Sequence, residues 1–577
     1  MRRAPLTLSR VAGAVGCVLL PACASGPETV YTLTPPTWFE DGWSFYDVSA
    51  DGAWASYGAR FGARLIDLKS GREDTTRYAS PGALRAAGGP AGLIAWGGEA
   101  PSDLTVPEYA VTRLSPDGAR LAYFVPGQTT LSAGPPGALQ PYELDGVVTG
   151  VGWVTRGDLL YVLVWHPEGL STLTRVNVET GAVQPIRERL DAPPRFNALA
   201  VSLDSRTVYL ALASDALPAP ADRHRPEADR DTDIYALDLA SGRLRAVVEE
   251  PGDDFYPVIA NGFLYWTHND FTDEIVAVPA DGGEARAVAS GAQIPYFSSD
   301  GKQLAYTIGG WRIADWALNL DAAAVSVDDS ARATAPPRPI VTGYHEDFTP
   351  AWSPDGRWLA YHSHRSRLPV PGYASAGSTD DIYLRRADAP MDTEIRLTDW
   401  GWEVGMADWS PDGRRLVFDS WDREGPAGVA RPWIVTVDTA TGRLVDQRRL
   451  ALPRGVGGTL LASWSPAGDE IALVARETRD RQALWVVSVD GRSSRRVAEL
   501  ANTTYGGLDW TPDGGSLVYA ALADGRLQLF RVARTGGAAI QLTRDRADLL
   551  HPQVSPDGRW VAATRMVHQK VLRRRKL

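Results

Sequence analysis

The feature that most constrains this chain is a ten-residue unit that recurs along it. Its fullest copy is Trp352-Ser353-Pro354-Asp355-Gly356-Arg357-Trp358-Leu359-Ala360-Tyr361. Clear copies stand at 114–123, 297–306, 409–418, 464–473, 510–519 and 554–563, and worn ones at 48–57 and 201–210. Ser-Pro-Asp-Gly predicts a tight turn. Ser bonds back to the backbone, Pro presets φ, Asp tolerates the bridge region and Gly suits the last position. The residue before the Ser or Thr is apolar in every copy, and so are the sixth and eighth residues after it. Positions two apart share one face of a strand, so each copy predicts an antiparallel hairpin with a buried side.

Second hairpins lie between these. Asp233-Ile234-Tyr235-Ala236-Leu237-Asp238 runs into Ser241-Gly242, and Leu484-Trp485-Val486-Val487-Ser488-Val489 into Asp490-Gly491. Both alternate with period two and end in a Gly-bearing turn. The unit is therefore four strands. The last five turn residues, at 353, 410, 465, 511 and 555, are 44–57 residues apart. Four-stranded units of about that length are propeller blades. Worn blades are also read at Gly152-Trp153 with Leu159-Leu160-Tyr161, and at Pro257-Val258-Ile259 with Phe263-Leu264-Tyr265-Trp266. The total is about eleven. One ring holds about 4–8 blades, so the expected fold is all-β with two tandem β-propellers. Their expected extents are 37–290 and 291–577, with a seam near 343 as the alternative. The last unit has only thirteen residues after Thr564, too few for two more strands. The strand-like segment 30–34 is expected to complete it, so that the N-terminus seals the second ring.

The N-terminus predicts export. Arg2, Arg3 and Arg10 precede the short apolar run 11–20, which is too short to span a bilayer. The run ends in Leu20-Pro21-Ala22-Cys23, which resembles a bacterial lipoprotein box with Cys23 as the lipidated residue; Pro21 is unusual there. Ala22-Cys23-Ala24 is alternatively a cleavage site for a soluble periplasmic form. The expected segments are a signal peptide at 1–22 and a tether at 23–36. Cys17 and Cys23 are the only cysteines, which excludes a disulfide framework. The chain carries a net charge of −11; loss of the leader's three arginines leaves −14. That balance excludes a nucleic-acid role. The basic run Arg573-Arg574-Arg575-Lys576 is read as a solvated tail, with an anionic-lipid contact as the sharper alternative.

The Trp-Ser-Pro-Asp-Gly-x-x-Leu-Ala-Tyr turn, the Asp-Ile-Tyr strand and the closing Leu-Thr resemble the TolB-type, WD40-like propeller repeat. The same repeat occurs in the propellers of prolyl-oligopeptidase-like and tricorn-like peptidases. The resemblance covers nearly the whole exported chain and is strongest over 297–563. It is specific for the fold. Such repeats serve scaffolds, translocation partners, lyases and peptidase gates alike.

Chemistry is sparse. The nearest approaches to G-x-S-x-G are Gly42-Trp43-Ser44-Phe45-Tyr46 and Gly372-Tyr373-Ala374-Ser375-Ala376, and neither fits. The chain ends inside its last blade, leaving no room for a hydrolase domain, so no catalytic residue is assigned. The repeated Trp352, Trp409, Trp464 and Trp510 are read as packing between blades. His345, His362, His364 and His551 would have to converge for a propeller-type lyase; no metal and no cofactor is assigned. The better candidate surface is formed by the segments leading into each first strand, which gather at one mouth of the central channel. They supply His345, Glu346, Asp347, Glu403, Asp548, His551, Asp253 and Asp254 as candidate binding residues. The expectation is a non-catalytic protein of the bacterial cell envelope, lipid-anchored on the periplasmic side. It would bind a protein or peptide partner through these loops. The alternatives are a metal-dependent polysaccharide lyase or hydrolase and a structural partner of a separately encoded peptidase or transporter.

Overall fold

The computed structural model describes residues 27–33, 45–49, 51–59, 62–78, 111–116, 118–125, 128–166, 170–192, 199–213, 232–308, 321–341, 347–363, 381–389, 393–400, 404–421, 430–478, 481–500 and 506–577. Among them there is no helix. The strands form nine antiparallel four-stranded sheets and one six-stranded sheet that supplies two further blades, eleven in all. Blades 1–4 span 45–78, 111–143, 147–190 and 199–248; blades 6–10 span 292–341, 347–396, 408–449, 458–500 and 508–541.

The six-stranded sheet joins the rings. Its strands are β1 (Glu28–Leu33), β2 (Asp253–Ala260), β3 (Phe263–Pro279), β4 (Arg286–Ser290), β5 (Asp548–Val554) and β6 (Trp560–Lys576). The two long strands, of 17 residues each, pair antiparallel along their whole length, Phe263 opposite Lys576 and Pro279 opposite Trp560, without a register shift. Blade 5 consists of β2, the first half of β3, the second half of β6 and β1. Blade 11 consists of β5, the first half of β6, the second half of β3 and β4.

This differs from the expected closure. β1 does not seal the second ring; it pairs with residues 570–574 and completes blade 5. The last unit instead takes its outer two strands from the middle of the chain. The reason is local. Neither 564–572 nor 266–276 contains Gly or Pro, so nothing turns either strand back and both run on into the other ring. The basic run at the C-terminus is correspondingly part of β6. Arg574 pairs with Glu28 at 2.9 Å, Arg573 pairs with Glu250, and Arg575 donates to the Val247 carbonyl at 2.6 Å. The exchange crosses the expected boundary at 290–291: residues 274–279 and β4 lie in blade 11, and residues 570–576 lie in blade 5.

The repeat turn forms as its residues require, with one addition. The Ser353 hydroxyl donates to Asp355 at 2.6 Å and accepts from the Trp358 N–H at 2.9 Å. The same Asp accepts from the Arg357 N–H at 3.0 Å. Gly356 takes φ +67°, so the turn ends in a left-handed residue that only glycine adopts freely. The sixth residue after the Ser is buried in all nine copies: Ala55, Leu121, Val208, Leu304, Leu359, Leu416, Ile471, Leu517 and Val561.

Those residues build apolar clusters between blades. Phe297 and Leu304 of blade 6 pack with Ile275 and Ala562 of blade 11, and Val518 of blade 10 packs with Val276 and Val561 from the other side, so the second ring closes. In the first ring, Val48 and Ile66 of blade 1 pack with Tyr265 and Leu572 of blade 5. Trp352, Trp409, Trp464 and Trp510 lie in these clusters, at most 5% exposed. Two of them also donate across the seam: Trp409 Nε1 to the Ala351 carbonyl at 3.1 Å, and Trp510 Nε1 to that of Ser463 at 3.2 Å.

Candidate functional site: the channel of the second ring

The first strand of each blade lines its ring. Four of these strands carry the same kind of bulge, where the register shifts: between Gln293 and Tyr296, Phe348 and Ala351, and Leu550 and Gln553, and in the first ring between Phe255 and Val258. At each, a non-glycine residue just before a proline has positive φ: Ile294 +54°, Thr349 +55°, His551 +50° and Tyr256 +52°. For β-branched Ile294 and Thr349 this conformation is strained by about 1–2 kcal/mol. Neighbouring blades hold it in place. The Thr349 N–H donates to Thr307 Oγ1 at 2.9 Å, that of Ile294 to Thr564 Oγ1 at 2.8 Å, and that of His551 to the Gly506 carbonyl at 2.8 Å.

The bulges surround a cavity of about 80 Å³. Tyr296, Asp408, Ser463, Asp509 and Gln553 project into it from blades 6, 8, 9, 10 and 11. Asp408 accepts from the Tyr296 hydroxyl at 2.6 Å, the Ser463 hydroxyl at 3.0 Å and the Trp464 N–H at 2.8 Å. Asp509 accepts from Gln553 Nε2 at 2.8 Å and the Val554 N–H at 2.7 Å. Gln553 Oε1 in turn accepts from the Phe297 N–H at 3.3 Å. Each carboxylate thus ties its own blade to the next. Both acids line the cavity and are half-buried. Burial raises the Asp408 carboxyl above its usual range; burial, with the Asp408 charge as a smaller cause, pushes Asp509 up to about 7. The Tyr296 phenol rises well above 10, through burial first and the Asp408 charge second.

The residues expected at the mouths are placed as follows. His345, Glu346, Glu403 and His364 lie outside the described residues. Asp253 is buried and accepts from the Thr232 N–H and hydroxyl, both at 3.1 Å. Asp548 is buried and accepts from the Leu527 N–H at 2.7 Å, with Arg526 at 3.4 Å. Both carboxylates therefore clasp the preceding blade. Asp347 is buried at the same position in blade 7. Asp254 is different. Its Oδ1 accepts from Trp266 Nε1 at 2.7 Å and meets His268 Nδ1 at 2.9 Å, while its buried Oδ2 meets no partner among the described residues. Burial raises its carboxyl, and His268 opposes that. His551 lines the second ring's cavity, with Nδ1 at 3.2 Å from Thr564 Oγ1. His362 sits in another blade, its ring against Phe348 and its Nδ1 3.2 Å from the Val404 carbonyl. Among the described residues, no three of His, Cys, Asp and Glu are grouped as metal ligands.

The channel girdle of Tyr296, Asp408, Ser463, Asp509 and Gln553 is not among the residues singled out from the sequence. A signal for it exists. All five occupy the position two before the turn Ser or Thr, where Ala351 stands in blade 7. Alternation puts that position on the strand face opposite the apolar residue beside it.

The first strands of blades 5 and 11 both begin near the middle of the shared β3–β6 ribbon, on its opposite edges. Asp253, where β2 begins, is opposite Asn269 of β3. Asp548, where β5 begins, is opposite Met566, which is paired with Asp273. The two starts lie four residue steps apart along β3, roughly 13 Å at strand rise, and three strand spacings apart across the sheet, because β2 flanks β3 and β5 flanks β6 on the opposite edge of the ribbon. The turn ends of both hairpins, at Asn261-Gly262 and at 555–559, point away from the middle of the ribbon.

No family model matches the chain. It is 34% identical over 215 residues to "Uncharacterized peptidase YuxL" of Bacillus subtilis, covering 37% of this chain and 28% of that protein. It is 26% identical over 178 residues to "Uncharacterized protein Atu1656" of Agrobacterium fabrum, covering 29% of this chain and 52% of that protein. The chain thus spans about a quarter to a half of these relatives' lengths. Among solved structures, a putative TolB from Agrobacterium tumefaciens aligns with TM-score 0.38 and 20% identity, over 52% of this chain and 99% of that one. Its own turns and strand pairing make this chain an all-β protein of two propellers built from four-stranded blades.

Proposed function

We propose that the protein is a non-catalytic binding protein of the bacterial cell envelope. Its partner is a protein or peptide engaged by the loops at the channel mouths. The observation that carries this reading is the placement of the mouths. The first strands of blades 5 and 11, with their strained bulges, start near the middle of the shared ribbon, and the short repeat turns point outward. Long connections also begin and end on this side: β-strands stop at Ser363 and Ala213 and resume at Asp381 and Thr232. In repeat proteins the face bearing insertions is commonly the binding face. Asp253 and Asp548 there serve as clasps between blades, a binder's scaffold, while Asp254 is held by Trp266 and His268 of its own blade. Export and anchoring through Cys23 belong to the same proposal and rest on the leader alone.

Full-length protein anchored at Cys23 is expected to recover a stable partner from detergent-solubilised envelope. Recovery should fall at least tenfold with His551→Ala combined with Asp254→Ala. Recovery of no stable partner overturns the reading. A Cys23→Ser variant that stays in the membrane fraction overturns the anchor separately. A second reading, a structural partner of a separately encoded peptidase, draws on the partial identity to YuxL; a peptidase in the recovered complex would select it.

A further inference from the structure

Neither ring is a contiguous piece of chain, and each is closed by a strand that arrives from the other. Blade 5 closes the first ring. Its Phe255, Leu264 and Trp266 pack with Leu210 and Ile234 of blade 4, and its Tyr265 and Leu572 with Val48 and Ile66 of blade 1. Leu572 lies on β6, which reaches blade 5 only after crossing blade 11. Blade 11 closes the second ring, and its Ile275, Val276 and Val278 lie on β3, which reaches it only after crossing blade 5.

We infer that the β3–β6 ribbon makes the two rings one cooperative unit, so that loosening either ring opens the closing blade of the other. Three observations support this. First, the ribbon's ladder runs through all 17 pairs without a shift, whereas first-to-second-strand pairings in both rings are broken by bulges. This direct path between the rings is therefore also an uninterrupted one. Second, ion pairs fasten it at both ends: Arg565 to Glu274 at 2.5 Å in the second ring, and Arg573 to Glu250 and Arg574 to Glu28 in the first. Third, the ribbon replaces a linker. Domains strung as beads have exposed boundaries that few contacts cross, and they can move and melt separately. Here the strands that would have to separate are central ones in both closing blades. A partner held at one mouth would then protect the far ring as well.

Hydrogen exchange followed by mass spectrometry on the full chain tests this. Leu210→Ala empties a fully buried site in blade 4, and Leu473→Ala one in blade 9. Leu210→Ala is expected to lower protection at least tenfold not only in blade 4 but in β4, β5 and the first strand of blade 6. Leu473→Ala should do the same to β1 and β2. Protection in β4 and β5 that stays within twofold of wild type, while blade 4 loses its own, overturns the inference. Where an alanine variant does not fold, calorimetry of the wild-type chain decides. One transition with equal calorimetric and van't Hoff enthalpies supports coupling, and two resolved transitions refute it.

Discussion

An aspartate stands in eight of the nine repeat turns, and its setting is opposite to that of the channel aspartates. The hydroxyl of Ser298 and the Lys302 N–H hold Asp300 below the usual carboxylate range; Thr511 and the Gly515 N–H do the same for Asp513. Each turn depends on its hydroxyl. Ser353→Ala removes both a donor to Asp355 and an acceptor for the Trp358 N–H. It should cost about 1 kcal/mol, read as a lower urea midpoint with unchanged slope. In the channel, burial acts the other way. Asp509, like Asp419 at the end of a strand in blade 8, is pushed up to about 7. Such a carboxyl binds its proton more readily folded than unfolded, where its pKa is about 4. Its contribution is therefore fully present below about 4 and is lost as pH rises through about 7. The turn aspartates contribute in the reverse sense, losing their share only as pH falls through their depressed values. Stability should accordingly rise as pH falls from 8 to 6. Asp509→Asn should flatten that rise by on the order of 1–2 kcal/mol, measured by urea unfolding at each pH.

At the scale of elements, the hairpins were legible and the ribbon was not. The alternation around Ser353 to Tyr361 marks which side chains face the core, and Leu359 and Tyr361 are fully buried there. The tryptophans follow the same logic. Trp409→Ala should cost about 3–5 kcal/mol by opening a cavity between blades 7 and 8. Trp409→Phe should cost less, about 1 kcal/mol of it from the lost bond to the Ala351 carbonyl. β6 has no comparable mark. Its 17 residues are longer than any repeat strand, and only the absence of Gly and Pro hints that it does not turn. Removing residues 570–577 should strip β1 and the outer face of β3 of their partner. Limited proteolysis is expected to cut first-ring strands at least tenfold faster than in the whole chain.

At the scale of the molecule, eleven blades and two rings come from one small turn repeated, because each blade needs a neighbour to bury its apolar face. The repeat says little about the site. The acids expected at the mouths, Asp253 and Asp548, are drawn inward to backbone amides of the preceding blade. The girdle of Asp408 and Asp509 depends on contacts between residues 44–112 positions apart, and on Gln553 meeting Phe297, 256 positions away, where the ring closes.

The sequence by itself determined the strand class, the turn geometry, the buried positions and the approximate number of blades, because these follow from period, turn chemistry and spacing within a few dozen residues. Only the tertiary structure decided how the rings close. Residue 28 meets residue 574, and residue 263 meets residue 576. Pairing across such distances leaves no local pattern, since any strand with open edges fits another by the same hydrogen bonds. What selects the partner is the order in which whole blades fill the two rings. The turn residues define each blade, and the two strands that lack a turn signal are the ones that bind the rings together.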